Sequence, residues 1–288
     1  MNGVLGPTAV LLLSCPDRPG VVAATADFVY RHGGNIVDAQ QHTDRTDGVF
    51  FQRVEFLLDG CDLGRDEIEP AFQPVVDRFD MHCAVRFSDD VPRVGVLVSK
   101  EAHCLVDLLA RSRRGELAID IPVVISNHPD HAEVADWFGV EYAHLPVAAD
   151  NKPEQERAMQ EVLQAHGVTL VVLARYMQIL SADFVARWPE AIINIHHSFL
   201  PAFMGGRPYH QAHERGVKIV GVTAHYATAE LDDGPIIDQD VVRVSHRDAV
   251  EDLQRRGRDL EVAVLARAVH AHVEHRVLVH GRRTVVFD

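Results

Sequence analysis

The chain is 288 residues long, room for one large or two ordinary domains. Apolar residues make up 47% of it, enough for a sizeable core, which sets aside a disordered chain. A net charge of −14 opposes DNA or RNA as a partner, since their phosphates call for a basic face. The four cysteines, Cys15, Cys61, Cys83 and Cys104, are scattered without a C-x-x-C and read as reduced thiols of a cytoplasmic protein. No apolar run approaches the roughly 20 residues of a membrane span, and no signal peptide is expected.

Residues 8–87 carry the first pattern. Thr8-Ala9-Val10-Leu11-Leu12-Leu13 reads as a strand, and Asp17-Arg18-Pro19-Gly20 as a turn. Val21 to Arg31 has helical spacing and is closed by Gly33-Gly34-Asn35. Ile36 to Thr43 and Val49 to Leu58 read as a hairpin about Thr46-Asp47-Gly48. Arg65 to Phe79 reads as a helix that Pro70 and Pro74 make irregular, and Met81 to Phe87 as a closing strand. The order βαββαβ is that of a ferredoxin-like sandwich. Ser88-Asp89-Asp90-Val91-Pro92-Arg93 is the linker, so the domains are expected at 1–88 and 89–288.

The second unit alternates. Strands are expected at 94–98, 121–125, 142–147, 168–173 and 191–195. Helices are expected at about 104–113, 132–138, 153–166 and 181–188, with Pro153 near one start and Ser181 capping another. Such alternation with near-continuous apolar strands means a mostly parallel sheet covered on both faces. From Val217 the pattern changes to two long strands, 217–226 and 235–244. A long helix over 248–275 follows, with Gly257 inside it, and then a hairpin over 276–287 turning at His280-Gly281.

Asn194-Ile195-His196-His197-Ser198 leaves the apolar run Ala191-Ile192-Ile193 at a strand exit, where open α/β sheets hold their ligands. Asn194 and His196 are two residues apart, so an extended strand projects both to one face. An amide, an imidazole and a carboxylate from Leu231-Asp232-Asp233-Gly234 could together do carbonyl chemistry. They would polarise an oxygen, move a proton and fix a tautomer. The bland alternative is a polar loop end that caps a neighbouring helix. The 18 histidines include His210-x-x-His213 and His270, His272 and His275, but no carboxylate or thiolate completes a site, and no metal is expected.

Asn194-Ile195-His196, then Ser198-x-Leu200-Pro201, Thr223-x-His225-Tyr226 and Leu231-Asp232-x-Gly234-Pro235-Ile236-Ile237, resemble the folate-dependent formyltransferase family, and within it the 10-formyltetrahydrofolate deformylase branch. The resemblance covers almost the whole chain. It implies a Rossmann-like formyltransferase domain behind the ferredoxin-like unit, whose Asp-Arg-Pro-Gly turn and Gly-Gly-Asn cap resemble an ACT domain.

That resemblance makes Asn194, His196 and Asp232 the catalytic set, with Asp233 the solvated neighbour, although a different turn would exchange the two acids. Met177, Gln178, Ile179 and Leu180 would line the pterin pocket, and Asn127 would lie near the folate tail. His197 stands where the transferases carry proline, and is either a substrate contact or a packing histidine. Arg207 and Tyr209, in a loop with Gly205-Gly206, are possible gate or tail contacts.

The implied reaction is hydrolysis of 10-formyltetrahydrofolate to formate and tetrahydrofolate, supplying formate and balancing one-carbon pools for purine synthesis. The folate is substrate, and no cofactor is expected. The stretch Ser99-Lys100-Glu101-Ala102-His103-Cys104-Leu105 has no glycine and contains an acid, so it is a poor phosphate cradle and disfavours formylation of a phosphorylated amine. The remaining alternative is an amino-acid sensor that merely binds folate. The ACT-type unit would pair copies of the chain into a homo-oligomer, and either holds an amino-acid effector or only oligomerises.

Overall fold

A computed structural model of the chain describes residues 6–148, 151–202 and 207–288. The expectation for Gly205-Gly206 lies outside the described residues. The contacts gather into two compact units. One holds residues up to Val91 together with Glu274–Leu278 and Val285–Asp288; the other holds Pro92–Val273 and Val279–Thr284.

The first unit runs β1 (Thr8–Pro16), α1 (Val21–Arg31), β2 (Asn35–Asp44), β3 (Val49–Leu57), α2 (Arg65–Phe79) and β4 (His82–Phe87). Its strands pair antiparallel in the order β2-β3-β1-β4, the ferredoxin-like arrangement. Strand β1 is apolar without interruption from Ala9 to Leu13 because both its faces are covered there. Ala9, Leu11 and Leu13 pack with Val21 and Phe28 of α1 and with Ile68 and Phe72 of α2. Val10 and Leu12 pack with Phe51 and with Phe287 from the end of the chain. Helix α2 runs unbroken through Pro70 and Pro74, since Ile68, Phe72 and Phe79 bury one face across both prolines. Gly33, at φ +70, must be glycine: a Cβ there would lie 2.5 Å from the Gly60 carbonyl oxygen.

The second unit runs β5 (Arg93–Val98), α3 (His103–Arg114), β6 (Asp120–Ser126), α4 (Ala132–Phe138), β7 (Glu141–His144), α5 (Lys152–Ala165), β8 (Leu170–Leu173), α6 (Ala182–Val185) and β9 (Ile192–His196). Then come α7 (Pro208–Arg215), β10 (Ile219–Tyr226), β11 (Ile236–Arg243) and α8 (Val250–Val273). Strands β5 to β9 are parallel; β10 and β11 add antiparallel at one edge, giving the order β11-β10-β9-β8-β5-β6-β7. The order reverses between β5 and β8, the point beyond whose carboxyl ends an open α/β sheet ordinarily holds a ligand. The chain ends in the hairpin β12 (Val277–His280) and β13 (Arg283–Val286), with Gly281 at φ +60 in the turn. Helix α7 has no counterpart in the sequence expectation. Its signals are Pro208 at the first turn and Gly216, left-handed, at the end. Helix α6 is shorter than expected, four residues long, and Ser181 caps it by accepting the Phe184 N–H at 3.1 Å.

Candidate active site

The exit of β9 and the loop between β10 and β11 meet at one cavity of about 300 Å³. Asn194, His196, His197, Asp232 and the run Met177, Gln178, Ile179 and Leu180 all line it. Asn127 is not among the lining residues. Its carboxamide oxygen accepts the Ser99 hydroxyl at 2.7 Å, and the Ser99 oxygen accepts the Met177 N–H at 3.0 Å. Asn127 thus braces the cavity wall from behind. The other end of that wall is fixed by Glu156, whose carboxylate accepts both the N–H, at 2.8 Å, and the hydroxyl of Ser181.

His196 is buried, and its Nδ1 lies 3.1 Å from Asp232 Oδ1. A carboxylate only accepts, so Nδ1 carries the proton. Nε2 is then the basic atom; it is buried and has no hydrogen-bond partner. A partnerless buried nitrogen at a cavity wall calls for a functional explanation. Burial pushes the Asp232 carboxyl up, but the His196 hydrogen bond and the neighbouring imidazoles His225 and His197 pull it down further, so it sits below the ordinary carboxylate value. Asp232 is held at φ +56, a left-handed conformation that a non-glycine residue takes at a cost. The adjacent Asp233 turns away and pairs with Arg282.

The register of β9 against β10 sets Asn194 opposite His225. His225 Nδ1 lies 2.9 Å from the Tyr226 carbonyl oxygen and donates to it. Its Nε2 therefore accepts from Asn194 Nδ2 at 3.1 Å. One N–H of the Asn194 amide is so fixed, and the other is left to the cavity. Burial lowers the His225 pKa and keeps the ring neutral, which this arrangement requires. The sequence motif contained His225 without assigning it a task; only the strand register reveals one. His197 is lowered to about 4 by burial and by the charges of Arg175 and His196, so it too is neutral near pH 7.

Met177, Ile179 and Leu231 are among the exposed large apolar residues of the chain, and all three line this cavity. Arg207 reaches it as well, whereas Tyr209 is buried with its hydroxyl on Glu261. The Ser99–Leu105 stretch is tied down at its first residue and carries an acid. Ser99 N–H donates to the Arg175 carbonyl, the Lys100 carbonyl faces His131, and Glu101 stands ahead of α3. Such a carboxylate would repel a phosphate there. The group His103, Cys104 and Glu261 has metal-type donors within 4.8 Å of one another, on a different set of residues from the histidines singled out in the sequence.

A formyl transferase family model matches residues 92–269, and an ACT domain model matches residues 9–76. The chain is 56% identical to the formyltetrahydrofolate deformylase of Synechocystis sp. over 97% of its own length and 98% of that protein's. The crystal structure of a formyltetrahydrofolate deformylase from Pseudomonas syringae pv. tomato superposes with a TM-score of 0.97 at 46% identity, covering 100% of this chain and 96% of that one. Glycinamide ribonucleotide transformylase 1 from Symbiobacterium toebii superposes with a TM-score of 0.67 at 38% identity, over 70% of this chain and 97% of that one. An ACT domain followed by a formyl transferase domain, and such identity over nearly the full length, place this chain in the formyltetrahydrofolate deformylase family.

Proposed function

We propose that the chain hydrolyses 10-formyltetrahydrofolate to tetrahydrofolate and formate. One observation carries the reading: the His196–Asp232 pair leaves Nε2 of His196 unpartnered at a cavity that the Asn194 amide also lines. Met177, Ile179 and Leu231 offer apolar walls for a flat pterin ring. The formyl oxygen accepts the free N–H of Asn194. Water adds to the formyl carbon as its proton passes to the His196–Asp232 pair through Nε2, and the negative charge that develops on oxygen is held by Asn194. The same proton is then given to the folate nitrogen as the C–N bond breaks, so that water and the formamide become amine and formate. Asp232 keeps the proton on Nδ1 and steadies the imidazolium between the two transfers. No cofactor enters this sequence.

The ACT-type unit is proposed to pair copies of the chain into a homo-oligomer and to take a small amino-acid effector. Formate supply to purine synthesis, with balancing of one-carbon pools in the cytoplasm, is the proposed role. The four free cysteines suit a reducing compartment. Purified protein with 10-formyltetrahydrofolate and no acceptor should release formate. Turnover only on addition of an amine would make it a transferase, and binding without turnover a sensor.

A further inference from the structure

A second buried charged group lies close to the first. Glu261, on α8, is 1% exposed. Its Oε2 lies 2.7 Å from His103 Nε2 and 3.4 Å from Arg175 Nε, and its Oε1 accepts the Tyr209 hydroxyl at 3.0 Å. His103 follows β5 and Arg175 follows β8, so the group stands at the point where the strand order reverses. An open α/β sheet ordinarily leaves that point to a ligand. Here side chains occupy it. The His197 ring lies between the two groups, its centroid 5.2 Å from that of His196 and 6.1 Å from that of Tyr209.

Holding these side chains is costly at three positions. Arg175 sits at φ +64, a conformation that glycine takes freely and a long side chain does not. Gly257 leaves a gap in α8 because a Cβ there would lie 1.9 Å from the Tyr209 hydroxyl oxygen. A carboxylate and a guanidinium are desolvated together, and Arg175 Nε and Nη1 and His103 Nδ1 are left without hydrogen-bond partners. Buried ion pairs of this kind add little stability over apolar packing. A metal does not account for the group either. Both Glu261 oxygens already have donors, Arg175 brings a positive charge, and burial with the nearby Glu261 keeps the Cys104 thiol well above its ordinary value.

We propose that His103, Arg175, Tyr209 and Glu261 form a specificity plug: they fill the crevice in which an amine-bearing second substrate would have to lie, and so leave water as the nucleophile. This rests on the hydrolytic reading above. A transferase on the same fold, such as the transformylase already compared, has to seat an acceptor beside its formyl donor; a hydrolase gains by closing that space.

The test is the product ratio with 10-formyltetrahydrofolate and added glycinamide, N-formylglycinamide against formate. The variant Arg175→Gly/Glu261→Gln removes both charges together, so neither is stranded, and gives the left-handed position a glycine. Its ratio should rise by about tenfold or more over wild type, the scale of a pocket gaining room for a small group. His103→Ala, which opens the plug from α3 and leaves the Arg175–Glu261 pair in place, should raise it in the same direction. A ratio unchanged from wild type in whichever variant melts cooperatively and still consumes the folate overturns the plug. Wild-type protein that releases no formate without glycinamide would instead overturn the hydrolytic reading, independently of the variants.

Discussion

His196 shows how two nitrogens of one ring are given different tasks. Nδ1 faces Asp232 and Nε2 faces the cavity, so the carboxylate decides which nitrogen is basic. Asp232→Asn would let an amide N–H donate to Nδ1 and drive the ring proton onto Nε2, where it blocks proton uptake. The variant should fold and bind folate with kcat reduced by about 10³-fold or more, checked by single-turnover formate release beside a folate titration. Near-normal turnover would move the carboxylate's role elsewhere. His197 gives a prediction about stability. Its pKa lies at about 4 in the fold against an ordinary 6.5, so the unfolded chain takes up this proton first as pH falls. Its contribution is complete above pH 6.5, declines between 6.5 and 4, and levels off below. His197→Gln should therefore lose less stability than wild type between pH 7 and pH 4, by roughly 3 kcal/mol at most, read from urea midpoints at the two values.

Elements explain why the motif residues were legible and their partners were not. Asn194, His196 and the 177–180 run each lie within one contiguous stretch, so strand spacing and a strand exit are visible in the sequence. His225 touches Asn194 only because β10 runs antiparallel to β9 in one register, which no local pattern specifies. Glu261, His103 and Arg175 meet from α8, α3 and the β8 exit, and the sequence holds them far apart. Helix α7 escaped because Pro-Tyr-His-Gln-Ala-His-Glu-Arg buries only Pro208, Tyr209 and Ala212. The loop carrying Asp232 has its own local requirement. A Cβ on Gly234 would lie 1.7 Å from the Tyr226 carbonyl oxygen, an atom of the sheet backbone that cannot step aside. Gly234→Ala should shift the turn and with it Asp232. The expected result is a fall in kcat of about 10²-fold, the effect of roughly 1 Å of misplacement, with folate affinity changing less. Steady-state kcat and KM, with hydrogen exchange at the Tyr226 N–H that bonds the Pro235 carbonyl, would check it.

At the scale of the whole chain, the end of the sequence belongs to its beginning. Residues Glu274–Leu278 and Val285–Asp288 pack in the first unit, although the linear pattern places them behind the second. Arg53 makes the polar part of this closure: its Nε and Nη2 donate to the His275 and Glu274 carbonyls at 3.1 and 3.2 Å, while Asp38 and Glu55 balance its charge. Phe287 makes the apolar part, 5% exposed beside Val10, Leu12 and Phe51. The sheet face opposite α1 and α2 is thus covered by the chain's own terminus, and a fragment ending near Val91 would bare Val10, Leu12 and Phe51. Phe287→Ala leaves a cavity in that layer and should cost the first unit about 3 kcal/mol, toward the lower end for a buried Phe, since the end of a chain can partly relax. The loss should appear as faster hydrogen exchange in β1 and β3, with β5 and β8 as the internal reference. If β1 and β3 exchange in Phe287→Ala as slowly as in wild type, the terminus contributes nothing to this sheet, and a fragment ending near Val91 should then fold alone.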